Sequence, residues 1–217
     1  MIDLSKIQRP DFDEETHTYR VDGRVVPSVT QILKFGPWKG VDETDSGFVI
    51  AEDVIENARD RGHRVHKAIE LLNGGVLDWD TVDADDLPYV EAYADWREEN
   101  GYIAEASELI GYSELFDYGF TLDSFGYLPE GPVIVDIKTG SAGLKPWHKY
   151  QLAAYAYPMT WEEEGRTRWP LRIMLHLKSN GKAKPYRFGE KTAMWDWEVF
   201  QSCRKLQTAL TLDTRAA

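Results

Sequence analysis

Cysteine is nearly absent from this chain of 217 residues, which contains only Cys203. A disulfide within the chain is therefore impossible, and a zinc or iron–sulfur site built from several cysteines is excluded. The sequence also lacks any run of about 18 apolar residues, the length that a membrane-spanning helix needs. Its start, MIDLSKIQRPDFDEE, has no apolar signal core. We therefore expect a cytoplasmic protein with no membrane partner.

Positive charge is scarce as well. The chain has 25 Lys and Arg against 37 Asp and Glu, a net charge of −12. This balance argues against a protein that simply coats DNA, because non-specific binding depends on basic residues that neutralise phosphates. The distribution is uneven: residues 1–135 have 11 basic and 29 acidic residues (net −18), and residues 136–217 have 14 and 8 (net +6). The asymmetry indicates either a basic face in the C-terminal part or ordinary solvated surface helices.

The stretch VIVDIKTG, residues 133–140, is the most informative one. Its four Val and Ile residues predict a buried strand. Alternation along that strand places Asp136 and Lys138 on one face. An acid and a lysine are costly to bury unless they pair with each other, or bind a cation and a substrate phosphate.

A second acid belongs to the preceding strand-like run, YGFTLDSF, in which Asp123 follows four apolar or aromatic residues. The connection GYLPEGP is rich in turn residues, which predicts that Asp123 and Asp136 lie on adjacent antiparallel strands. Carboxylate oxygens are ligands that Mg²⁺ and Mn²⁺ prefer. The sequence therefore predicts two carboxylates and one lysine around one site.

In this arrangement the chain resembles the PD-(D/E)XK nucleases with RecB-type spacing, whose signature falls on Asp123, Asp136, Ile137 and Lys138. Three further parts of the chain resemble accessory elements of that family. They are Gly62 with His66 in RGHRVHKAIE, Glu108, and Gln151 with Tyr155 in YQLAAYAY. The opening THTYRVDGRVVPSVTQIL is similar to the start of phage-encoded members of the family. The single cysteine distinguishes the chain from the branch of the family whose members bind an iron–sulfur cluster. One departure is that the family often has Gly-Thr-x-Asp, and here Gly119 is followed by Phe-Thr-Leu-Asp.

The resemblance implies an α/β fold with a restriction-endonuclease-like core, in which helices flank a central mixed β-sheet. It implies one or two Mg²⁺ or Mn²⁺ ions bound by His66, Glu108, Asp123, Asp136 and the carbonyl of Ile137. Asp123, Asp136 and Lys138 would be catalytic. We expect one domain over residues 1–217, made of a hairpin-and-helix extension (1–45), a catalytic core (46–190) and a C-terminal helix (191–217).

Patterns of apolar residues predict the elements of that domain. They are a hairpin at 15–26 turning at Asp22-Gly23, a helix capped by Ser28 that stops near Gly36, helices over 46–73, 88–100 and 150–158, strands at 171–177 and 183–188 joined by Asn180-Gly181, and a last helix over 192–212. That last helix is expected to direct Trp195, Val199 and Leu206 inward.

Several site residues keep an alternative interpretation. His66 lies at the edge of an apolar helical stripe, so it is either a metal ligand or an ordinary core histidine. Glu105 would replace Glu108 as the upstream acid if the strand register slips. Gln151 and Tyr155 share one helix face with nearby Lys149, and either hold nucleic acid or pack. Arg59, with Arg61, Arg64 and Lys67, either contacts phosphates or forms pairs along its helix.

The function predicted is a metal-dependent DNA exonuclease of phage recombination or repair type, in an infected or host bacterial cell. Its substrate would be DNA with a free end, and its candidate partners are phage or host recombination proteins and a second copy of the chain. One alternative is a structure-specific endonuclease on the same fold. Another is a non-catalytic acidic protein that mimics DNA or binds a partner, as the charge of −12 allows.

Overall fold

The computed structural model describes residues 2–38, 52–140 and 143–216. Its strands and helices are, in chain order, β1 (Asp11–Asp13), β2 (Thr18–Val21), β3 (Arg24–Val26), α1 (Val29–Leu33), α2 (Glu52–Asn73), α3 (Leu87–Glu99), β4 (Ile103–Ser113), β5 (Tyr118–Leu128), β6 (Gly131–Lys138), α4 (His148–Ala156), β7 (Trp161–Glu163), β8 (Arg166–Arg168), β9 (Leu171–Leu177), β10 (Ala183–Phe188) and α5 (Ala193–Ala216). The central sheet has the strand order β10-β9-β6-β5-β4.

That five-stranded sheet is mixed. β4, β5 and β6 form an antiparallel meander, and β9 lies parallel to β6 with Lys138 opposite His176. α4 belongs to the connection between the parallel pair, and β10 returns antiparallel to β9 after the predicted Asn180-Gly181 turn. Gly181 has φ +71°, as such a turn requires. The prediction of an α/β fold with a central mixed sheet between helices is confirmed.

Apolar residues cover both faces of β6. Val133, Val135 and Ile137 pack with α2 and α3, whereas Ile134 belongs to the cluster formed with α1, α4 and α5. Burying a side chain of this size stabilises the fold by about 1.5–3 kcal/mol. A strand that is buried on both faces has a nearly continuous apolar sequence, as this one does. Asp136 is therefore held in dry surroundings, with 1% of its surface exposed.

The N-terminal segment forms a three-stranded sheet, β1-β2-β3, where the sequence predicted a two-stranded hairpin. The turn between β2 and β3 lies at Asp22 and Gly23, both with positive φ. Ser28 caps α1 as predicted: its hydroxyl accepts from the Gln31 N–H, and the Gln31 side chain accepts from the Ser28 N–H. Residues 46–51 of the predicted second helix lie outside the described residues.

The last helix corrects one prediction. Trp195 and Leu206 of α5 were expected inside, but 65% and 47% of their surfaces are exposed, and Val199 is only half-buried. The large side chains buried from this helix are Trp197, Phe200 and Cys203. Apolar residues also occur on its exposed side, as Trp195 does, so composition alone could not determine its rotational phase. No helix in the described ranges is both long and apolar enough to cross a membrane.

Gly119 provides a test of how the N-terminal sheet docks on β5. A Cβ atom at Gly119 would lie 2.3 Å from the ring of Tyr19, which is 1% exposed and cannot move aside. Gly119→Ala should therefore lower the free energy of unfolding by about 1–3 kcal/mol, as overpacking does. Urea denaturation would measure the change, with Gly189→Ala as the control because a Cβ there meets nothing within 4 Å. Equal stability of the two variants would contradict the close contact.

Candidate metal centre

The site is built where the hydrogen-bonded pairing of β5 and β6 ends. The last paired residues are Ser124 and Val135. Beyond them the Asp123 carboxylate replaces a backbone partner: its Oδ2 accepts a hydrogen bond of 2.6 Å from the N–H of Ile137. The two strands are thus joined by a side chain at this point. The predicted proximity of Asp123 to the strand that carries Asp136 is confirmed.

Glu108 faces Asp123 from the neighbouring strand β4. It lies between the paired positions Ser107–Ser124 and Leu109–Leu122. Its φ of +49° is in the left-handed region, which costs on the order of 1–3 kcal/mol for a residue other than glycine. Glu105, the alternative acid, lies at a register shift between Ala104 and Ala106 and is exposed. The strained backbone at Glu108 sets the direction of its carboxylate.

His66, on α2, completes the cluster. Its Nδ1 lies 3.6 Å from Glu108 Oε1 and 3.7 Å from Asp123 Oδ1. Its Nε2 lies 3.2 Å from the carbonyl oxygen of Ile137. One ligand atom each from His66, Glu108 and Asp123 lies within 4.8 Å of the other two. Three of the five predicted metal-binding groups therefore converge, and the Ile137 carbonyl lies at the other nitrogen of His66.

The charged groups of this cluster and their burial shift the pKa values of His66 and Asp123. Burial opposes a charged imidazolium, but the carboxylates of Asp123 and Glu108 outweigh it and raise the pKa of His66 to about 9. Burial raises the pKa of Asp123 to about 6, where His66 opposes the rise and the charge of Asp136 adds to it. At neutral pH His66 is therefore positively charged between two carboxylates. A divalent cation would compete with its proton, because a histidine ligand must be neutral.

The donor set fits a small divalent cation. One imidazole nitrogen, two carboxylate groups and one backbone carbonyl are ligands that Mn²⁺ accepts, and the oxygens also suit Mg²⁺. The carboxylates of Asp123 and Glu108, which raise the pKa of His66, favour a positive charge at this point. The residues present therefore match the group that the sequence predicted, with Asp123 and Glu108 as its charged ligands.

Asp136 and Lys138 form a pair next to the cluster. Lys138 Nζ lies 2.7 Å from Asp136 Oδ2, so the two side chains share one face as predicted. Burial disfavours the ammonium group, but Asp136 and Asp123 raise the pKa of Lys138 above its usual value, so it is protonated. The three-residue cluster does not include Asp136. Of the two interpretations left open for this pair, a mutual ion pair is what the described residues form.

Gln151 and Tyr155 are joined on α4, because the Gln151 amide donates a 2.8 Å hydrogen bond to the Tyr155 hydroxyl. Both are at least nine-tenths buried. Burial, and then the charge of Asp136, raise the pKa of Tyr155 well above its usual range. The pair therefore lies behind Asp136, inside the fold, which favours positioning of that carboxylate over direct contact with nucleic acid.

The basic residues considered for contact with nucleic acid differ in whether they already interact with other residues of the chain. Lys149 Nζ lies 3.8 Å from Asp196 Oδ1 and over the ring of Tyr150, turned toward α5. On α2, three of the four basic residues interact within the chain: Arg64 with Asp86, Lys67 with Glu70, and Arg61 with the Tyr89 ring. Arg59 is exposed, and its contact with phosphates stays a prediction.

Sequence reasoning missed the contribution of β2. The Tyr19 hydroxyl lies 2.8 Å from Oγ1 of Thr121, which precedes Asp123 by two residues on β5. Tyr19 was interpreted as a hairpin residue only, and no sequence signal indicated this distant contact. At Gly62, which resembles a family element, a Cβ would meet only Thr139 Oγ1, at the ordinary contact distance of 3.7 Å.

Binding of Mn²⁺ to this cluster can be measured by melting. At about 100 times its dissociation constant, a ligand stabilises the folded protein by about 2.7 kcal/mol, so the melting temperature of the parent should rise with Mn²⁺. Glu108→Gln removes one charged ligand and should abolish most of the shift. Glu105→Gln is the matched control and should keep it. A shift lost in Glu105→Gln and kept in Glu108→Gln would reverse the assignment of the upstream acid.

Comparison with known proteins gives the following. No protein-family model matches the chain. No curated protein matches it. Among solved structures, it is similar to the crystal structure of an alkaline exonuclease from Laribacter hongkongensis, with 13% identity, 87% of this chain and 91% of that chain covered, and a TM-score of 0.41. The complex of that exonuclease with dAMP gives 12% identity, coverage of 88% and 92%, and a TM-score of 0.40.

Proposed function

We propose that the chain is a divalent-metal-dependent nuclease that hydrolyses phosphodiester bonds in DNA. The observation that carries this proposal is the convergence of His66, Glu108 and Asp123 from three elements, α2, β4 and β5, within 4.8 Å. A protonated lysine, Lys138, lies close enough for Asp123 to raise its pKa. Grouped carboxylates are costly without a cation, and a lysine beside them can bind a phosphate.

The residues would act together as follows. Asp123, Glu108, the Ile137 carbonyl and a deprotonated His66 would hold Mg²⁺ or Mn²⁺. A bound ion of this kind lowers the pKa of water and screens phosphate charge. The Ile137 N–H keeps the Asp123 carboxylate in one orientation. The neighbouring carboxylates favour the protonated form of Lys138, which would stabilise negative charge on the phosphoryl group.

Asp136 has two parts in this proposal. It compensates the charge of Lys138 at 2.7 Å and thereby holds the ammonium group near the cluster. It is also the second acid of the PD-(D/E)XK signature, so a role as ligand to an ion is proposed for it as well. Gln151 and Tyr155 would keep its position from inside the fold.

The mode of action proposed is exonucleolytic, on DNA with a free end, in phage recombination or repair. The support comes from the RecB-like order of His66, Glu108, Asp123 and Asp136 along the chain and from the phage-like opening. A structure-specific endonuclease would need the same cluster, so only the substrate distinguishes the two.

Replacing the lysine or its partner should abolish cleavage. Lys138→Ala removes a preorganised positive charge, which typically costs about 10²- to 10³-fold in rate. Asp136→Ala leaves Lys138 unpaired and should act similarly. Both variants are expected to fold with reduced stability, because each removes one partner of a pair whose carboxylate is buried. The assay is Mn²⁺-dependent digestion of linear DNA, with circular dichroism to verify folding. Lys182→Ala, an exposed lysine in the β9–β10 turn, is the control. Digestion by Lys138→Ala at the parental rate would refute the site.

Linear and circular DNA substrates distinguish exonuclease activity from endonuclease activity. With Mn²⁺, an exonuclease should shorten end-labelled linear DNA progressively and leave circular single-stranded and circular duplex DNA intact. Product lengths followed over time would show this. Linearisation of a circle would instead establish an endonuclease, and the absence of any cleavage by a folded, Mn²⁺-binding protein would favour the non-catalytic alternative.

A further inference from the structure

The N-terminal sheet, β1-β2-β3, lies against the strand that carries Asp123. Tyr19 is 1% exposed, and its ring fills the space that Gly119 leaves open on β5. The Tyr19 hydroxyl lies 2.8 Å from Thr121 Oγ1. Side chains two residues apart on a strand point to the same side, so Thr121 and Asp123 share a side of β5. Tyr19 therefore fixes the N-terminal sheet next to the metal centre.

His17 is the residue that this docking presents beside the centre. Its Nε2 lies 3.4 Å from the Tyr19 hydroxyl, and the rings of Phe12 and Tyr19 contact it edge-on at 5.1 and 5.5 Å. These contacts orient an imidazole that is otherwise exposed. His17 also has φ +49°, a strained conformation for a residue with a side chain. Such strain concentrates at functional sites.

The electrostatic surroundings relate His17 to the cluster. Burial and the neighbouring His63 lower the pKa of His17, and Glu108 opposes this. The charges of Glu108, a ligand in the proposed centre, and of His63 on α2 therefore both affect the pKa of His17. A neutral imidazole has one N–H donor. Because the Tyr19 hydroxyl faces Nε2, Nδ1 is the nitrogen that remains for a ligand; within the described residues it makes no hydrogen bond.

The facing surface of α2 continues the same path. Arg59, His63 and His66 are spaced by four and three residues, which places them on one side of the helix. Arg59 and His63 are exposed, and His66 lies in the cluster. Arg59 and His63 thus offer donors along the side of α2 that ends at the metal centre, and His17 offers another from the N-terminal sheet.

We propose that the DNA strand lies along His17 and this side of α2, and that His17 donates a hydrogen bond to the phosphate next to the one bound at the metal centre. The inference rests on the proposed function and adds the substrate contact. Tyr19 is a positioning residue that acts through His17.

The test uses three replacements of His17 that separate its side chain from its backbone. His17→Ala and His17→Gly both remove the donor, and glycine also fits the left-handed backbone without strain. His17→Asn keeps an N–H donor and tolerates positive φ. With Mn²⁺ and linear DNA, the first two should raise KM about tenfold, the usual effect of losing a hydrogen bond to a charged group. They should leave kcat within about twofold, and His17→Asn should restore most of the affinity.

Arg20→Ala is the matched control. Arg20 lies on the same sheet, but on the opposite side of β2 from Tyr19 and exposed. If DNA were attracted only by the general charge of the N-terminal sheet, removing this arginine would weaken binding more than removing a neutral histidine. The inference expects the parental KM for Arg20→Ala. It is overturned if His17→Ala matches the parent, or if His17→Gly restores the parental KM.

DNA affinity without cleavage separates this inference from the proposed function. Fluorescence anisotropy with labelled DNA and Ca²⁺ in place of Mn²⁺ measures binding alone, and Mn²⁺ titration calorimetry without DNA measures the metal centre. All His17 variants should bind Mn²⁺ like the parent. A parent that binds DNA but cleaves none defeats the proposed function, while the His17 variants still test the contact. A parent that cleaves while all variants bind DNA equally defeats the inference alone.

Discussion

The hydrogen bond from the Ile137 N–H to the Asp123 carboxylate is the interaction on which the site depends. It forms where β5 and β6 stop pairing, so a charged side chain takes the place of a backbone acceptor. A bond of this kind is stronger than a neutral one. It holds the carboxylate at the gap between the strands, and the carbonyl of the same residue, Ile137, lies beside His66. The backbone of this one residue thereby orients both Asp123 and His66.

Two ion pairs support that arrangement. Asp136 pairs with Lys138 beside the cluster. Arg172 on β9 is fully buried, and bonds to Asp196 of α5 and to backbone carbonyls including that of Lys149 on α4. Removing one partner of such a pair leaves an uncompensated buried charge, which costs about 3–5 kcal/mol. The second pair thus ties β9, α4 and α5 together and fixes the helix behind Asp136.

Two of the five non-glycine residues that have positive φ in the described ranges belong to the region of the site. Glu108 and His17 are both in the left-handed region with φ near +49°, although neither is glycine. Each costs on the order of 1–3 kcal/mol, and each is held by packing around it. Strain at Glu108 turns a carboxylate toward Asp123, and strain at His17 presents an imidazole near Glu108. The fold accepts a local cost where side chains must converge.

The sequence by itself determined the buried strand β6, the α/β class, the capped helix α1, and His66 and Asp123 as candidate members of the cluster, because period, turn residues and motif order are local signals. Only the tertiary structure decided that Glu108 and not Glu105 belongs to the cluster, since a register shift and a strained backbone are invisible in the chain. The sequence likewise could not predict the rotational phase of α5 or the docking of Tyr19 on Thr121. Both depend on contacts between residues far apart in sequence, and such contacts exist only after folding.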